Sequence, residues 1–287
     1  MALPQVILNG LITGSIYALI ACGFSLIYST NKFIHFAHGI SVVIASYILF
    51  LLFAQFSLPL SLSIILTIVL SSLVGLLMYR LIYHPLQKRK ASNIILLLAS
   101  FAILILGQNL LQIIFGVNIK TIPLDYSTYS FLGLNITLVQ IITVITSLII
   151  LLLLFFFMKK TKLGRNIRAV ADNEELASII GINPRKIADL TFIIGSGIAG
   201  IAGILVALEF SISATMGTNL IIKGFTGAIV GGIASVPASI IGSYILGIIE
   251  NLGVFYISSS YKDAISFIIL FLFLLLKPEG IFGHKKW

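Results

Sequence analysis

The chain has 287 residues, of which 59% are hydrophobic and only 9% are charged. A soluble domain carries roughly 25% charged residues, so this composition excludes an ordinary soluble enzyme and a disordered regulator. Cys22 is the only cysteine, which excludes a disulfide scaffold. The net charge of +9 fits the basic loops of a membrane protein better than nucleic-acid binding.

Continuous apolar runs predict an all-α, polytopic bundle of transmembrane helices rather than a β-barrel. A span needs roughly 20 apolar residues. Nine segments are predicted: 6–28, 36–56, 60–82, 93–115, 136–158, 184–209, 219–236, 238–256 and 262–276. The segment 219–236 is short and rich in glycine, so eight spans with one broken or re-entrant element remain the alternative. We expect one transmembrane domain, 1–287, whose first segment is retained rather than cleaved.

The basic residues predict which loops share a side of the membrane. Nine spans place 15 of the 18 lysines and arginines in the cytoplasm, mainly in the loop 80–90, the insert 159–186 and the tail. This arrangement puts the N-terminus outside and the C-terminus inside.

Small residues recur every fourth position in three of the predicted spans, as in Gly10, Gly14 and Ala18. Such a face allows close helix packing. The run Gly195–Gly200 matches the dinucleotide-binding glycine pattern but lies within an apolar helix, so we interpret it as packing. The chain has no phosphate-binding loop for ATP and no catalytic or metal-binding motif. His35 and His38 fit packing or capping better than metal ligation, and we expect no cofactor.

The polar insert 159–186 contains a short predicted helix at 173–180. Asp172 and Glu175 have the spacing of a capping box, and Leu176, Ile179 and Ile180 share one apolar face. Gly181 is suited to end the helix, and Asn183 with Pro184 then begin the next span. A helix this short cannot bury its own apolar face, so we expect it to lie on the membrane or in a groove of a partner.

Several motifs resemble those of the branched-chain amino acid permeases of ATP-binding-cassette (ABC) importers. Glu175, Ala177 and Gly181 have the spacing of that class's coupling helix. Other matching runs are Asn9–Ala21, Phe36–Gly39, Leu163–Arg165, Arg168–Ala169, Ala177–Asn183, Lys223–Phe225, Gly231–Pro237, Tyr261–Asp263 and Lys277–Gly280. Two positions depart from the family pattern, namely His35 in place of asparagine and Ile40 in place of an acid.

The resemblance implies a membrane subunit, not an enzyme, in a bacterial or archaeal plasma membrane. Two ABC ATPases, a second homologous permease and an extracytoplasmic substrate-binding protein would complete the importer. The coupling helix, with Asp172, Glu175, Leu176, Ala177, Ile180 and Gly181, would transmit ATPase closure to the spans. Because the same family includes importers of urea and short amides, those substrates remain the alternative to leucine, isoleucine and valine.

Polar side chains inside spans are costly and are therefore candidates for function. The candidate translocation path comprises Asn9, Thr13, Gln108, Asn109, Gln112, Ser243 and Glu250. Hydrogen bonding between helices is the alternative for each of them. Lys223 and Glu250 flank Pro237 at nearly equal distances, which predicts an intramembrane ion pair if segments seven and eight are antiparallel.

A stand-alone secondary transporter or channel is the competing class. The sequence offers no voltage sensor, acidic proton relay or selectivity loop to support it.

Overall fold

The computed structural model describes residues 3–123, 127–131 and 133–283, and these residues are mostly helical. The elements follow in this order: α1 (Leu3–Asn31), α2 (His38–Leu49), α3 (Leu60–Met78), α4 (His84–Lys88), α5 (Asn93–Phe115), β1 (Thr128–Phe131), β2 (Leu134–Thr137), α6 (Leu138–Lys160), α7 (Lys162–Asp172), α8 (Glu174–Ile179), α9 (Pro184–Glu209), α10 (Met216–Gly231), α11 (Val236–Tyr256) and α12 (Lys262–Leu276). Short π-helical segments extend α2 and join α3 to α4.

The predicted polytopic helical bundle is confirmed. Segments 93–115, 184–209 and 262–276 have the same bounds as α5, α9 and α12. Within the described residues, eight helical stretches are long and apolar enough to cross a membrane. The glycine-rich α10 is not among them, since its 16 residues span only about 24 Å at 1.5 Å per residue. The helix α12 is among them because a 3-10 turn at Ser259–Tyr261 extends it to an 18-residue stretch.

The two ends of the bundle differ in chemistry. At the basic end, Lys32 donates a hydrogen bond to the carbonyl of Ala171, and Arg80 forms an ion pair with Asp189 at 2.9 Å. At the hairpin end, the antiparallel strands β1 and β2 lie beside the start of α1, where the side chain of Gln5 bonds to the backbone of Asn135. The basic regions 80–90 and 159–186 therefore share one end.

The short helix α10 still carries the chain from one end of the bundle to the other. Ile212, just before α10, pairs with Lys120 near the hairpin end. Ile233, just after α10, accepts a hydrogen bond from Ser25 in the last two turns of α1. The tail returns to α10 at the basic end, where the amide of Ile281 donates to the carbonyl of Val230. The described chain thus passes between the ends nine times, eight of them through long helices.

Small residues hold α1 and α11 in close contact, as the small-residue pattern predicts. A Cβ atom added at Gly247 would lie 2.6 Å from the carbonyl oxygen of Gly10 and 2.7 Å from the Cα atom of Gly14. Because those are backbone atoms, they cannot move aside as a side chain can. The two helices can approach this closely only with glycine at the contact.

The sequence analysis missed α4, which extends α3 through the predicted loop 80–90, and it missed two further features. The β1–β2 hairpin lies between α5 and α6, in a stretch with no strong strand pattern. The helix α7 occupies the first half of the insert, where Gly164, Ile167 and Val170 recur every third residue and are buried. That spacing is the helical signal that would have found α7.

Candidate functional site: a surface helix and an intramembrane charge cluster

The short helix α8 has a defined start and end. The side chain of Asn173 accepts a hydrogen bond from the amide of Leu176 at 3.0 Å and caps the start. Gly181 has φ of +88°, a left-handed conformation that favours glycine and ends the helix. Asn183 then caps α9 by accepting from the amide of Lys186 at 3.3 Å.

One detail of the predicted start is wrong. Asp172 and Glu175 do not form a capping box, because Asp172 is the last residue of α7 and Asn173 is the cap. Asn173 takes the capping role one residue later in the chain, and it accepts from the amide of Leu176 rather than from that of Glu175. The predicted helix 173–180 is otherwise close to the observed α8, Glu174–Ile179.

The apolar face of α8 is exposed. Leu176, Ile179 and Ile180 are 60%, 78% and 73% exposed, respectively. Ala177 lies on another side of the helix and is only 2% exposed, because it faces the rest of the protein. Three large apolar side chains presented together on a surface are typical of a site that a partner or a membrane covers.

The missed helix α7 attaches α8 to the bundle. It packs against α1, α6 and α9, so it contacts three long helices at the basic end. Arg168 on α7 donates to the carbonyl of Met158 near the end of α6, and Lys32 bonds to Ala171 on α7. A displacement of α8 can therefore be transmitted through α7 to these three helices.

Near the hairpin end, the structure brings Lys223 and Glu250 together. The Lys223 ammonium lies 3.1 Å from one carboxylate oxygen of Glu250, and 2.8 Å from a carboxylate oxygen of Asp263 on α12. Lys262 lies 3.7 Å from the second oxygen of Glu250. The cluster therefore holds two cations and two anions and joins α10, α11 and α12.

Glu250 is the buried centre of this cluster. Its side chain has no exposed surface, whereas Asp263 is 53% exposed. Tyr17 of α1 donates to one oxygen of Glu250 at 2.8 Å, and Ser266 of α12 donates to the other. A buried carboxylate needs this many donors and cations, because its desolvation cost is otherwise uncompensated.

The sequence analysis found only two of these charges. Lys262 and Asp263 enter the sequence analysis only as the start of segment 262–276 and as part of the family motif Tyr261–Asp263. Tyr17 was part of another family motif, and its contact with Glu250 depends on helix rotation. These two residues could have been found from their depth in the membrane. They begin α12 at the end of the bundle where the sequence places Lys223 and Glu250.

A cavity of about 200 Å³ opens beside the cluster between α1, α9 and α10. Its apolar wall includes Ile16, Val206 and Leu220. Lys223 and Asp263 border the same cavity, and so do Thr13 and Lys262. An apolar wall with a few polar groups at one side is typical of a small-molecule site.

The other candidate path residues are divided between several places. On α1, Thr13 accepts a hydrogen bond from Asn251 of α11, and Asn9 accepts one from Gln5 one turn earlier in the same helix. Ser243 is buried where α10 meets α11 and bonds to the carbonyl of Ser239. Of the seven candidates, only Thr13 and Glu250 lie at the charge cluster or its cavity.

The amides of α5 form a separate group. Gln108 donates to Thr218 of α10 at 2.7 Å. Asn109 is exposed and donates to the carbonyl of Ile105 within its own helix. Gln112 is half-buried one turn later. These amides lie on the side of the bundle where α5 covers α2 and α10.

His35 and His38 are buried between helices. The ring of His35 bonds through Nδ1 to the hydroxyl of Tyr83 at 2.9 Å, and it also packs against Phe192. Among the residues that the structure describes, no group of three or more histidine, cysteine, aspartate or glutamate side chains could hold a metal ion.

Comparison with known proteins gives a consistent result. Residues 6–274 match the family model described as the permease component of the branched-chain amino acid transport system. The chain is 34% identical to the high-affinity branched-chain amino acid transport permease LivH of Escherichia coli K12, over 98% of this chain and 96% of that protein.

Two other relatives and one solved structure extend the comparison. The chain is 33% identical to BraD of Pseudomonas aeruginosa, over 98% of this chain and 96% of that protein. It is 34% identical to a probable branched-chain amino acid permease of Methanocaldococcus jannaschii, over 97% and 92%. One chain of the PsaBC structure from Streptococcus pneumoniae is similar in fold, with a TM-score of 0.51 and 16% identity. The match covers 94% of this chain and 91% of the PsaBC chain.

Proposed function

The chain belongs to the permease component family of the branched-chain amino acid transport systems, and on that basis we propose that it is the membrane-spanning subunit of an ABC importer for leucine, isoleucine and valine. Two ABC ATPases, a second permease and an external binding protein would complete the importer. The basic end would face the cytoplasm, because lysine and arginine are enriched in cytoplasmic loops. The N-terminus of the chain would then lie on the outer side of the membrane.

The exposed face of α8 is the observation that carries this proposal. Leu176, Ile179 and Ile180 present an apolar surface at the basic end, where an ATPase would dock. Caps at both ends fix the helix, and α7 connects it to α1, α6 and α9. A helix held in this way can pass a movement of a docked partner to the spans, as a two-state importer requires.

The cavity beside the charge cluster supports an amino acid over urea or a short amide. A branched-chain amino acid carries one positive group, one negative group and an apolar side chain. The cavity borders two lysines, Lys223 and Lys262, and a carboxylate, Asp263, and most of its remaining wall is apolar. A neutral urea molecule could form hydrogen bonds with these groups but no ion pair, and it has no side chain to fill the apolar wall.

Uptake by proteoliposomes tests the proposal. The chain is reconstituted alone, and also with its ATPases, second permease and binding protein. We expect labelled leucine to accumulate only in the complete assembly with ATP, and labelled urea to accumulate in neither. ATP-independent leucine uptake by the chain alone would instead establish a secondary transporter or channel. Uptake of urea but not leucine by the complete assembly would show that the substrate belongs to the alternative class, urea and short amides.

A pair of variants tests the role of α8 within the same assay. Ile179→Asp places a charge on the exposed apolar face and should abolish ATPase co-purification and uptake. Ser178→Asp places the same charge on the opposite side of α8 and is the matched control. If Ile179→Asp retained both activities, α8 would not be the docking helix.

A further inference from the structure

A second cavity lies at the basic end, away from α8 and the charge cluster. Its volume is about 380 Å³, and it opens between α6, α11 and the end of α1. The wall contains Leu151, Phe155 and Met158 of α6 and Ile240 of α11. These residues are apolar, so the interior of the cavity suits a hydrocarbon chain rather than a polar metabolite.

Two basic residues border this apolar cavity. Lys159, at the end of α6, lies 5.5 Å from the ring centroid of Phe155, which holds it against the helix beside the cavity. Arg168 of α7 is fixed by its hydrogen bond to the carbonyl of Met158. That bond uses one of the five N–H groups of the guanidinium, so others are left to bind an anion.

The arrangement has the polarity of a phospholipid. From Leu151 to Lys159, the α6 wall rises about 12 Å along the helix axis, at 1.5 Å per residue. Apolar side chains occupy its deeper part, and the two cations lie at the basic end, where headgroups of that leaflet would be. Basic pockets between transmembrane helices are suited to anionic headgroups.

We propose that this cavity binds one anionic glycerophospholipid, with its phosphate at Lys159 and Arg168 and an acyl chain between α6 and α11. The lipid would fill a space that the bundle itself leaves open. It would also bridge α6, α7 and α11, and so stabilise the base of the insert that carries α8. This proposal does not depend on the transported substrate.

Lipid retention measured by native mass spectrometry tests the proposal. The full chain is purified in a delipidating detergent and mixed with dioleoyl phosphatidylglycerol or dioleoyl phosphatidylcholine, which share acyl chains and differ in charge. We expect one phosphatidylglycerol to be retained in preference to phosphatidylcholine. Because each basic residue near an anionic lipid is worth about 1 kcal/mol, Lys159→Gln with Arg168→Gln should lose about 30-fold in this preference.

Matched variants separate the cavity from general surface charge. Lys160→Gln with Arg165→Gln removes two neighbouring exposed basic residues that do not line the cavity, and it should retain the lipid. Ile240→Trp keeps both cations but narrows the apolar part, and it should release the lipid. Photoactivatable phosphatidylglycerol should crosslink to α6 and α11.

Three results would overturn the proposal. One is equal retention of the two lipids by the unmodified chain. Another is equal loss in both double variants, which would indicate surface charge alone. The third is loss of ATPase co-purification in the Lys159 and Arg168 variant with unchanged lipid retention, which would assign the cavity to a partner protein.

Discussion

The ammonium group of Lys223 on α10 lies 3.1 Å from a carboxylate oxygen of Glu250 on α11, and Glu250 has no exposed surface. The two residues depend on the pair to different degrees. Lys223 has a second carboxylate, Asp263, at 2.8 Å, and it is 11% exposed. Glu250 has only one other cation nearby, Lys262 at 3.7 Å.

This asymmetry predicts that Lys223→Ala is more damaging than Glu250→Ala. Loss of Lys223 leaves a buried carboxylate without its nearest cation, which costs about 3–5 kcal/mol. Loss of Glu250 leaves Lys223 paired with Asp263. The double variant should recover part of the stability lost by Lys223→Ala. Thermal unfolding in detergent measures these changes, and Lys262→Ala, which removes the more distant cation, should have a smaller effect.

A double variant no more stable than Lys223→Ala would show that the two charges act independently. Equal losses from Lys223→Ala and Glu250→Ala would show that Asp263 does not support Lys223.

A proline at position 177 should uncouple the importer. The amide of Ala177 donates to the carbonyl of Asn173 at 3.0 Å, and proline removes this donor at a cost of about 3 kcal/mol within a helix. We expect Ala177→Pro to lose ATP-driven uptake and ATPase co-purification while the chain still inserts in the membrane. Uptake in reconstituted vesicles and membrane fractionation are the measurements.

Glu174→Pro is the matched control for this variant. Glu174 is the first residue of α8, where the amide has no partner within the helix and proline is favoured. The preceding residue, Asn173, already has the extended conformation that proline requires. Loss of uptake in both variants would mean that proline acts on the insert as a whole rather than on α8.

The cap of α8 should depend on Asn173 and not on Asp172. Asn173→Ala removes the acceptor for the amide of Leu176 and should cost about 1 kcal/mol of helix stability. Asp172→Ala should leave α8 unchanged, because Asp172 belongs to α7. Hydrogen exchange of the α8 amides measures the difference. If the α8 amides exchanged faster in Asp172→Ala but not in Asn173→Ala, Asp172 would be the cap, as the predicted capping box requires.

A methyl group at the contact of α1 and α11 should destabilise the bundle. Gly247→Ala would place a Cβ atom 2.6 Å from a backbone oxygen of α1, and overpacking of this kind costs about 1–3 kcal/mol. The control is Gly197→Ala, where only the hydroxyl of Ser72 is close and that side chain can rotate. Thermal unfolding in detergent should separate the two variants, and equal stability would contradict the close packing.

The sequence predicts most of the spans because a lipid bilayer requires each one to be long and apolar. The bounds of α5 follow from this rule, and the start of α9 is also marked by Asn183 and Pro184. The rule weakens for α10, which is too short to span on its own. Burial among other helices allows such an element, so its length depends on tertiary contacts that the sequence does not display.

The candidate site was predicted in part. The cap at Asn183 and the left-handed Gly181 follow from local chemistry, which a sequence records directly. The meeting of Lys223 with Asp263 depends on how α10 and α12 are rotated about their axes, and equal depth alone does not determine rotation. Hydrophobic periodicity does not predict these rotations, because α10 and α12 carry apolar residues on every face.

The central position of α1 has a consequence for how the protein is made. In the most apolar 18-residue stretch of this helix, 89% of the residues are buried, and the main neighbours of α1 are α9, α10 and α11. Translation delivers α1 to the membrane before α9, α10 and α11. The small-residue face of α1 is therefore exposed to lipid until α9, α10 and α11 have been synthesised and can pack against it. Nascent chains that stop before α9 should be substrates for membrane quality-control proteases, whatever the stability of the finished protein.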